Sequence, residues 1–404
     1  MPIASVAITN ATVVLPDEVL AHGCVVVRDG VIDAVYDRDA LPRDAADMVL
    51  NADGAYLLPG LIDVHNDALE FEVNPRPSAD LPLPFALANL ERRLAAAGVT
   101  TEFHAIAFMD RPKDRRSVSV AVDRARYIAS LQAEVRAIEH HVLHRIDVWH
   151  PDALESVFES IAAFELGYAS LNDHTPGQGQ YRNLDKLLEY NRSVRASHSI
   201  TEAELRARMA ERAADTETVP WVYGQVGAAR RRQPFVLATH DDDSIEKVEA
   251  QHALGATVAE FPITIEAAER ARELDMAIVV GAPNILRGAS SSGNLPATEF
   301  IERDLADVIC ADYHAPSLLP AAFRLVQHRL VNLPTAVRML TLNAARAVGL
   351  ADRGAIQPGM RADLVVARVD ASGLPHVEAT LREGRSTFLY GRLAGARVGS
   401  VVAV

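Results

Sequence analysis

The segment 57–77 carries the first side chains that could do chemistry, because an apolar run in it ends in a histidine, an amide and two acids. These residues are His65, Asn66, Asp67 and Glu70. Such groups are costly to bury without partners. Alternate side chains of a strand share a face, so His65 and Asp67 project together while Asn66 turns aside. The spacing predicts a divalent metal clamp, in which Glu70 either orients a ligand or begins a helix.

Seven further apolar runs also end in polar side chains. In chain order these ends carry His104; His144, Arg145 and Asp147; Asp173 and His174; His240 with Asp241, Asp242 and Asp243; Glu260; Asn284; and Asp312 with His314. A single histidine on an apolar segment is more often a core residue than a ligand. Imidazoles and carboxylates gathered in one place, however, repel or stay unsatisfied without a cation.

The elements that must position these groups are eight short apolar strands separated by helical stretches. The strands read GLIDVH, GVTTEFHAIAF, VLHRIDVWH, GYASLNDH, PFVLATH, ATVAEFP, MAIVVGAP and DVICADY. This alternation predicts an α/β fold, a parallel (β/α)8 TIM barrel. In such a barrel the residues just past the C-terminal end of each strand build the active site. We therefore expect the polar strand ends to converge.

The two ends of the chain differ from the middle. Residues 1–57 and 350–404 consist of short β-rich segments, which predicts that they pair as a small β-sandwich domain. Residues 58–349 are then left for the barrel. A charged helical insertion occupies about 183–232 and contains a capping-box pattern at Thr201–Glu204. The insertion is either a lid or a dimer contact.

Composition limits the class of protein. The chain has 404 residues, 49% of them hydrophobic, and a formal net charge of -14, which argues against nonspecific nucleic-acid binding. No apolar run approaches the roughly 18 residues that span a bilayer, and the N-terminus does not resemble a signal peptide. Two cysteines exclude a disulfide framework and a cysteine-rich zinc site. We expect a cytoplasmic protein with no nucleic-acid or membrane partner, and a homodimer by default.

Several motifs resemble the metal-dependent amidohydrolase superfamily across essentially the whole chain. They are PGLIDVH after the N-terminal β segment, ADY late in the chain, and LTLNAARAVGLADRGAIQPGMRADLVV. Five more resemble one branch, the α-D-ribose 1-methylphosphonate 5-triphosphate diphosphatases of the carbon-phosphorus lyase pathway. Those five are DHTPGQGQY, ATHDDDSIEKV, LGATVAEFPIT, GAPNILRGASSSGN and DYHAPSLLPAAFRL.

The resemblance implies an enzyme of phosphonate metabolism that hydrolyses a ribose 5-triphosphate to the 5-phosphate and pyrophosphate. It implies one or two divalent ions, zinc first and manganese or iron as alternatives. The metal ligands that it implies are His65, Asp67, His174, His240, Glu260 and Asp312. Two other functions remain open: a hydrolase of C-N bonds, such as a cyclic amidase or deaminase, and a noncatalytic barrel that serves as an assembly subunit.

The chain departs from the usual superfamily pattern at the first strand and at the metal bridge. Members usually open with His-x-His, and many bridge two metals with a carboxylated lysine. Here the motif is His-Asn-Asp, and none of the three lysines falls at a strand end. Any bridge must therefore come from an ordinary carboxylate. The candidates are Glu260, Asp173 and Asp147.

Hydrolysis of a phosphoric anhydride needs a nucleophilic hydroxide and donors for the phosphoryl oxygens. We predict that Asp312, at the end of the last strand, is the catalytic group that accepts the proton of the attacking water. The predicted substrate-binding residues are Arg76, Arg145, Gln178, Arg182, Asn284, Arg287, Ser292 and Asn294. Arginines suit bidentate phosphate contacts. For Arg76, Arg145 and Arg182 the alternative is a surface salt bridge. The alternative for Gln178 is a tight turn, and for the segment 284–294, which contains Arg287, a flexible loop.

Overall fold

The computed structural model describes residues 5–37, 46–76, 79–111, 116–173, 179, 201–290, 293–391 and 393. The chain divides into two compact units. The first unit comprises Met1–Phe103, Ala133–His140 and Val308–Val404, and the second comprises His104–Gln132 and His141–Asp307.

The strands of the described residues are numbered in chain order. They are β1 Ser5–Val14, β2 Val19–Arg28, β3 Val31–Tyr36, β4 Met48–Asn51, β5 Tyr56–Pro59, β6 Leu61–Asn66, β7 Val99–Phe108, β8 Glu139–Asp147, β9 Tyr168–Asn172, β10 Val236–His240, β11 Val258–Glu260, β12 Ala277–Gly281, β13 Val308–Cys310, β14 Leu364–Val369, β15 Pro375–Arg382 and β16 Arg385–Leu389.

The α-helices are numbered in the same way. They are α1 Ala68–Val73, α2 Leu83–Ala96, α3 Val118–Ser130, α4 Leu154–Ala162, α5 Glu202–Ala214, α6 Thr218–Arg232, α7 Ile245–His252, α8 Ile265–Glu273, α9 Ala282–Arg287, α10 Ala297–Glu302, α11 Leu318–Gln327, α12 Leu333–Leu340 and α13 Leu342–Ala347.

The two ends of the chain form one mixed sheet. Its strand order is β16-β15-β14-β5-β1-β2-β3, with β4 paired to β1. The β2–β3 hairpin turns at Asp29 and Gly30, where φ is 50° and 81°. Two consecutive residues with positive φ form a two-residue turn whose twist matches that of the flanking strands. One face packs an aliphatic core that includes Ile8, Val25 and Leu57. The domain boundaries at 57 and 350 stay a prediction.

The eight predicted barrel strands form a second sheet, in the order β13-β12-β11-β10-β9-β8-β7-β6. Its strands are continuously buried, as all ten residues of β7 show, which is typical of a parallel sheet covered on both faces. A parallel bridge between Asn66 and Asp312 joins the first strand to the residues after the eighth. The sheet thus returns on itself, and the predicted (β/α)8 TIM barrel is confirmed.

Helices begin where the sequence supplies capping side chains. The hydroxyls of Ser117, Ser244 and Thr264 accept backbone N-H groups at the starts of α3, α7 and α8. The capping box at Thr201–Glu204 is confirmed at the start of α5. Helices α5 and α6 lie within the predicted insertion, whose residues 183–200 are outside the described part of the chain. Among the described residues no helix combines the length and apolarity needed to cross a membrane.

Candidate metal centre

The first unit brings together three predicted metal ligands. His65 is the penultimate residue of β6, Asp67 directly follows that strand, and Asp312 lies just past β13; one ligand atom of each lies within 4.8 Å of the others. His65 is buried, whereas both acids are half-buried. The prediction that His65 and Asp67 project together is therefore confirmed. An imidazole and two carboxylates at this spacing fit a divalent cation.

Backbone hydrogen bonds fix these strand ends against each other. The Asp312 N-H donates to the carbonyl of His65 at 2.9 Å, and the Asp67 N-H donates to the carbonyl of Asp312 at 2.7 Å. Each bond joins one candidate ligand directly to another. The spacing of the group thus follows from the pairing of the first and eighth strands.

A buried carboxylate of β6 accepts hydrogen bonds from the backbone beside this group. Asp63 Oδ1 accepts the N-H of Ala311 at 2.8 Å and that of His65 at 3.3 Å. Burial raises the pKa of Asp63 to about 7, against the lowering effect of these donors. Burial, and then the charge of Asp63, raise the pKa of the neighbouring Glu102 well above its usual value. Neither acid was predicted for the site, although an acid inside the apolar run GLIDVH was a signal for Asp63.

In the second unit, His240 and Glu260 form a buried pair at the ends of β10 and β11. His240 Nδ1 lies 3.1 Å from Glu260 Oε2. The same carboxylate accepts the Tyr168 hydroxyl on Oε1 at 2.9 Å and the Ser170 hydroxyl on Oε2 at 2.9 Å. Tyr168, Ser170 and Glu260 are fully buried. Tyr168 and Ser170 belong to β9 and were not predicted for the site.

Arg145, a predicted substrate-binding residue, is buried in the second unit with an amide partner. Its Nε and Nη2 both donate to Asn172 Oδ1, at 3.0 and 2.8 Å. Asn172 Nδ2 in turn donates to Ser170 Oγ at 3.1 Å. Two of the donor nitrogens of Arg145 are therefore already hydrogen-bonded within the protein.

His144 corrects one expectation about the strand ends. It was expected to join the convergent groups, but its Nδ1 donates to the carbonyl of Tyr168 at 2.9 Å and its Nε2 lies 3.0 Å from Ser160 Oγ on α4. Burial lowers the pKa of His144 to about 4. The ring faces the helix layer because neighbouring positions of a strand point to opposite faces. His144 is therefore a neutral core histidine.

The two other bridge candidates bind an aromatic residue beyond β8. Asp147 Oδ1 accepts the N-H of Trp149 at 2.9 Å, and Asp173 Oδ1 accepts the indole N-H at 3.2 Å. The guanidinium of Arg212, on α5, lies 4.9 Å from the Trp149 ring centroid. The predicted insertion thus contacts the residues that follow β8.

Four more of the predicted substrate-binding residues lie in the described part of the chain. Asn284 Oδ1 accepts the N-H of Ala297 at 2.9 Å, Asn294 is half-buried, and Arg76 and Arg287 are exposed. Four predicted residues lie outside the described part of the chain: His174, Gln178, Arg182 and Ser292.

Two residues left open by the sequence have local roles. Glu70 lies in the first turn of α1, as a helix-start acid would. His314 is exposed, and its Nδ1 lies 2.7 Å from Ser317 Oγ.

Comparison with known proteins places this chain in a family. The model of the amidohydrolase family matches residues 323–388. The α-D-ribose 1-methylphosphonate 5-triphosphate diphosphatase of Escherichia coli (strain K12) is 35% identical over 398 residues, which cover 94% of this chain and 100% of that protein.

Solved structures agree at the level of the fold. An enamidase of the amidohydrolase superfamily superposes with a TM-score of 0.62 at 17% identity, covering 96% of this chain and 97% of that one. The N-acetyl-D-glucosamine-6-phosphate deacetylase of Mycobacterium smegmatis gives a TM-score of 0.60 at 16% identity, covering 95% and 99%. A TIM barrel with imidazole and carboxylate groups at its strand ends is compatible with a hydrolase of this superfamily, whose members usually bind divalent metals. The chain belongs to the amidohydrolase superfamily, and within it to the family of the Escherichia coli diphosphatase.

Proposed function

We propose that this protein is a metal-dependent diphosphatase of phosphonate metabolism. It cleaves the triphosphate of a ribose 5-triphosphate, of the α-D-ribose 1-methylphosphonate 5-triphosphate kind, to the 5-phosphate and pyrophosphate. The observation that carries the proposal is the 35% identity to such a diphosphatase along 94% of the chain. The His65, Asp67 and Asp312 group supports a hydrolase that uses a divalent metal.

We propose zinc as the metal, with manganese or iron as alternatives, in one or two sites. The ligands proposed for it are His65, Asp67, His174, His240, Glu260 and Asp312. A bound divalent cation supplies a Lewis acid for phosphoryl oxygens and lowers the pKa of bound water towards about 7.

Asp312 is proposed as the catalytic base. Asp312 is half-buried with its carboxylate beside His65 and Asp67, and backbone hydrogen bonds hold its main chain against the end of β6. From there the carboxylate can orient the attacking water in line with the scissile bond and accept its proton.

Arginine, amide and hydroxyl side chains are proposed to hold the polyphosphate and the sugar. They are Arg76, Arg145, Gln178, Arg182, Asn284, Arg287, Ser292 and Asn294. A guanidinium can donate two parallel hydrogen bonds to a phosphate. Since a neutral cyclic amide needs no such cations, these arginines favour phosphate chemistry over the C-N alternative.

The test is a paired assay of one metal-loaded preparation. Pyrophosphate release is measured with ribose 5-triphosphates, and ammonia release or ring opening is measured with a panel of cyclic amides. We expect pyrophosphate release that stops on chelation and returns with added metal. Metal-loaded protein that releases no pyrophosphate above background contradicts the proposal, and turnover of a cyclic amide then identifies the C-N hydrolase.

We also propose a cytoplasmic homodimer that binds neither nucleic acid nor membrane. Sedimentation velocity should then give twice the mass of the chain over a range of protein concentrations, and a single species of the chain's own mass contradicts the dimer.

A further inference from the structure

Glu260 is surrounded by hydrogen-bond donors in the core of the second unit. Oε1 accepts the Tyr168 hydroxyl, while Oε2 faces the Ser170 hydroxyl and His240 Nδ1, at distances of 2.9, 2.9 and 3.1 Å. An ionised carboxylate can only accept hydrogen bonds. Both oxygens are thus engaged by side chains of β9 and β10.

This arrangement sets the role of His240 Nδ1. Because an ionised Glu260 can only accept, Nδ1 is the donor of this hydrogen bond, and Nε2 is the nitrogen left for a metal, 3.5 Å from Asp241 Oδ2. A histidine that ligates a metal through one nitrogen commonly donates its other N-H to a carboxylate. His240 has this arrangement, with Nε2 on the side of the ring that faces away from Glu260.

The hydrogen bonds continue from Glu260 to a guanidinium. Ser170 Oγ accepts Asn172 Nδ2 at 3.1 Å, and Asn172 Oδ1 accepts two donors of Arg145. Strand pairing explains the alignment, since Arg145 is opposite Ser170 and His240 is opposite Glu260 in register. Cross-strand neighbours in a parallel sheet share a face.

We infer that Glu260 is a positioning residue for His240, held in place by Tyr168 and Ser170, and that Asn172 ties Arg145 to the same network. Glu260, which is among the ligands proposed above, then acts on the metal through His240 instead of binding it directly. The inference rests on the proposed function to the extent that His240 binds a metal. It adds Tyr168, Ser170 and Asn172 as residues that the reaction depends on without touching the substrate.

The test measures metal binding by the folded apoprotein. Tyr168→Phe and Ser170→Ala each remove one donor to Glu260 and leave all candidate ligands intact, whereas Glu260→Gln alters the acceptor itself. Ser160→Ala is the matched control, because it also removes a hydroxyl paired with a histidine, here a half-buried one on the helix side of β8. The readouts are cobalt affinity by chelator competition, cobalt stoichiometry, the visible ligand-field spectrum and the melting temperature of the apoprotein.

We expect Glu260→Gln to weaken cobalt binding by about 10–100-fold at unchanged stoichiometry, the usual effect of losing a partner that orients a ligand. Ser170→Ala and Tyr168→Phe should weaken it by roughly 3–10-fold, with a shifted visible spectrum. Ser160→Ala should match the wild type in affinity and spectrum.

Two results overturn the inference. Loss of a cobalt equivalent in Glu260→Gln, with wild-type binding in Ser170→Ala and Tyr168→Phe, makes Glu260 a ligand. A lower melting temperature with unchanged affinity and spectrum in all three variants makes the network structural only. Because binding is measured without substrate, a protein that shows the expected affinities but releases no pyrophosphate contradicts the proposed function and leaves this inference standing.

Discussion

Asp312 adopts a left-handed backbone conformation, with φ of 59°, at the position where its carboxylate joins His65 and Asp67. Asp241 and Phe261, each directly after a residue of the His240–Glu260 pair, have φ of 54°. This conformation is uncommon for residues other than glycine, and aspartate tolerates it better than most. Residues in it cluster at functional sites, where surrounding contacts hold them. Here the two backbone bonds between the ends of β6 and β13 hold Asp312.

Asp312→Asn should reduce kcat by about 10²–10⁴-fold, because the amide cannot accept the proton of the attacking water. The amide oxygen can still approach a cation, so we expect bound metal to fall much less than turnover. Steady-state kinetics and metal analysis of the same preparation measure the two effects. Asp370→Asn, at an exposed carboxylate paired with His376, should leave both values unchanged. Equal losses of metal and turnover in Asp312→Asn would assign Asp312 to metal binding alone.

Asp63→Ala should destabilise the protein by about 2–4 kcal/mol, because it leaves the buried N-H groups of Ala311 and His65 without their acceptor. Asp63→Asn keeps an oxygen at this place and should be the milder change. Urea unfolding of the two metal-free variants measures the difference. Equal stability of the two variants would show that the acceptor role of Asp63 is unimportant.

At the scale of elements, α2 is attached to the segment before β8 through one carboxylate. Glu91 forms an ion pair with Arg136, accepts the N-H of Ala137 at 2.8 Å and lies 3.7 Å from His140 Nε2. Burial alone would raise the pKa of Glu91, but His140 and Arg136 together lower it to about 2. The docking of this helix therefore depends on an ionised Glu91.

The stability that Glu91 contributes should depend on pH. Since its pKa is lower in the folded chain than the ordinary 4.5, its contribution is complete above pH 4.5 and is lost as the pH falls towards 2. Glu91→Gln should thus be less stable than wild type by about 1–2 kcal/mol near neutral pH, allowing for solvent screening through its half-buried partner Arg136. The difference in unfolding free energy between wild type and Glu91→Gln should decrease when urea unfolding is measured at progressively lower pH.

Glu134→Gln is the control for this effect, because Glu134 pairs with the same Arg136 but is exposed. It should match wild type at every pH. A gap between wild type and Glu91→Gln that does not change with pH would contradict the assigned role of Glu91.

At the scale of the whole molecule, the barrel closes between segments far apart in sequence. Asp63 and Ala311, joined by a hydrogen bond, are 248 residues apart. The His65, Asp67 and Asp312 group exists only when the first and eighth strands are paired, so a cation bound there favours the folded state over the unfolded one.

Removal of metal should therefore lower the melting temperature, and added metal should raise it with the logarithm of its concentration. At a free metal concentration 100 times the Kd, the expected gain in unfolding free energy is about 2.7 kcal/mol. Calorimetry of chelated and reloaded protein measures it. Asp67→Asn should reduce the rise in melting temperature that added metal produces, while the melting temperature of the apoprotein changes little. Equal melting temperatures of chelated and reloaded wild-type protein would argue against a bound metal.

The alternation of eight strands with helices, and with it the barrel, could be predicted from the sequence. Apolar runs bounded by polar residues are local signals, and all eight runs became strands of one sheet. Because a barrel gathers the ends of its strands, the same signals were enough to predict that His65, Asp67 and Asp312 lie together.

The partner that each strand-end side chain contacts, by contrast, became known from the three-dimensional structure. His144 and Arg145 are adjacent in sequence, yet one pairs with Ser160 of α4 and the other with Asn172 of β9. The partners of Glu260 and Asp63 likewise come from other strands. A change of one residue in register sends a side chain to the opposite face. Register depends on pairing between distant segments, so the partner that a side chain meets is not a local property of the sequence.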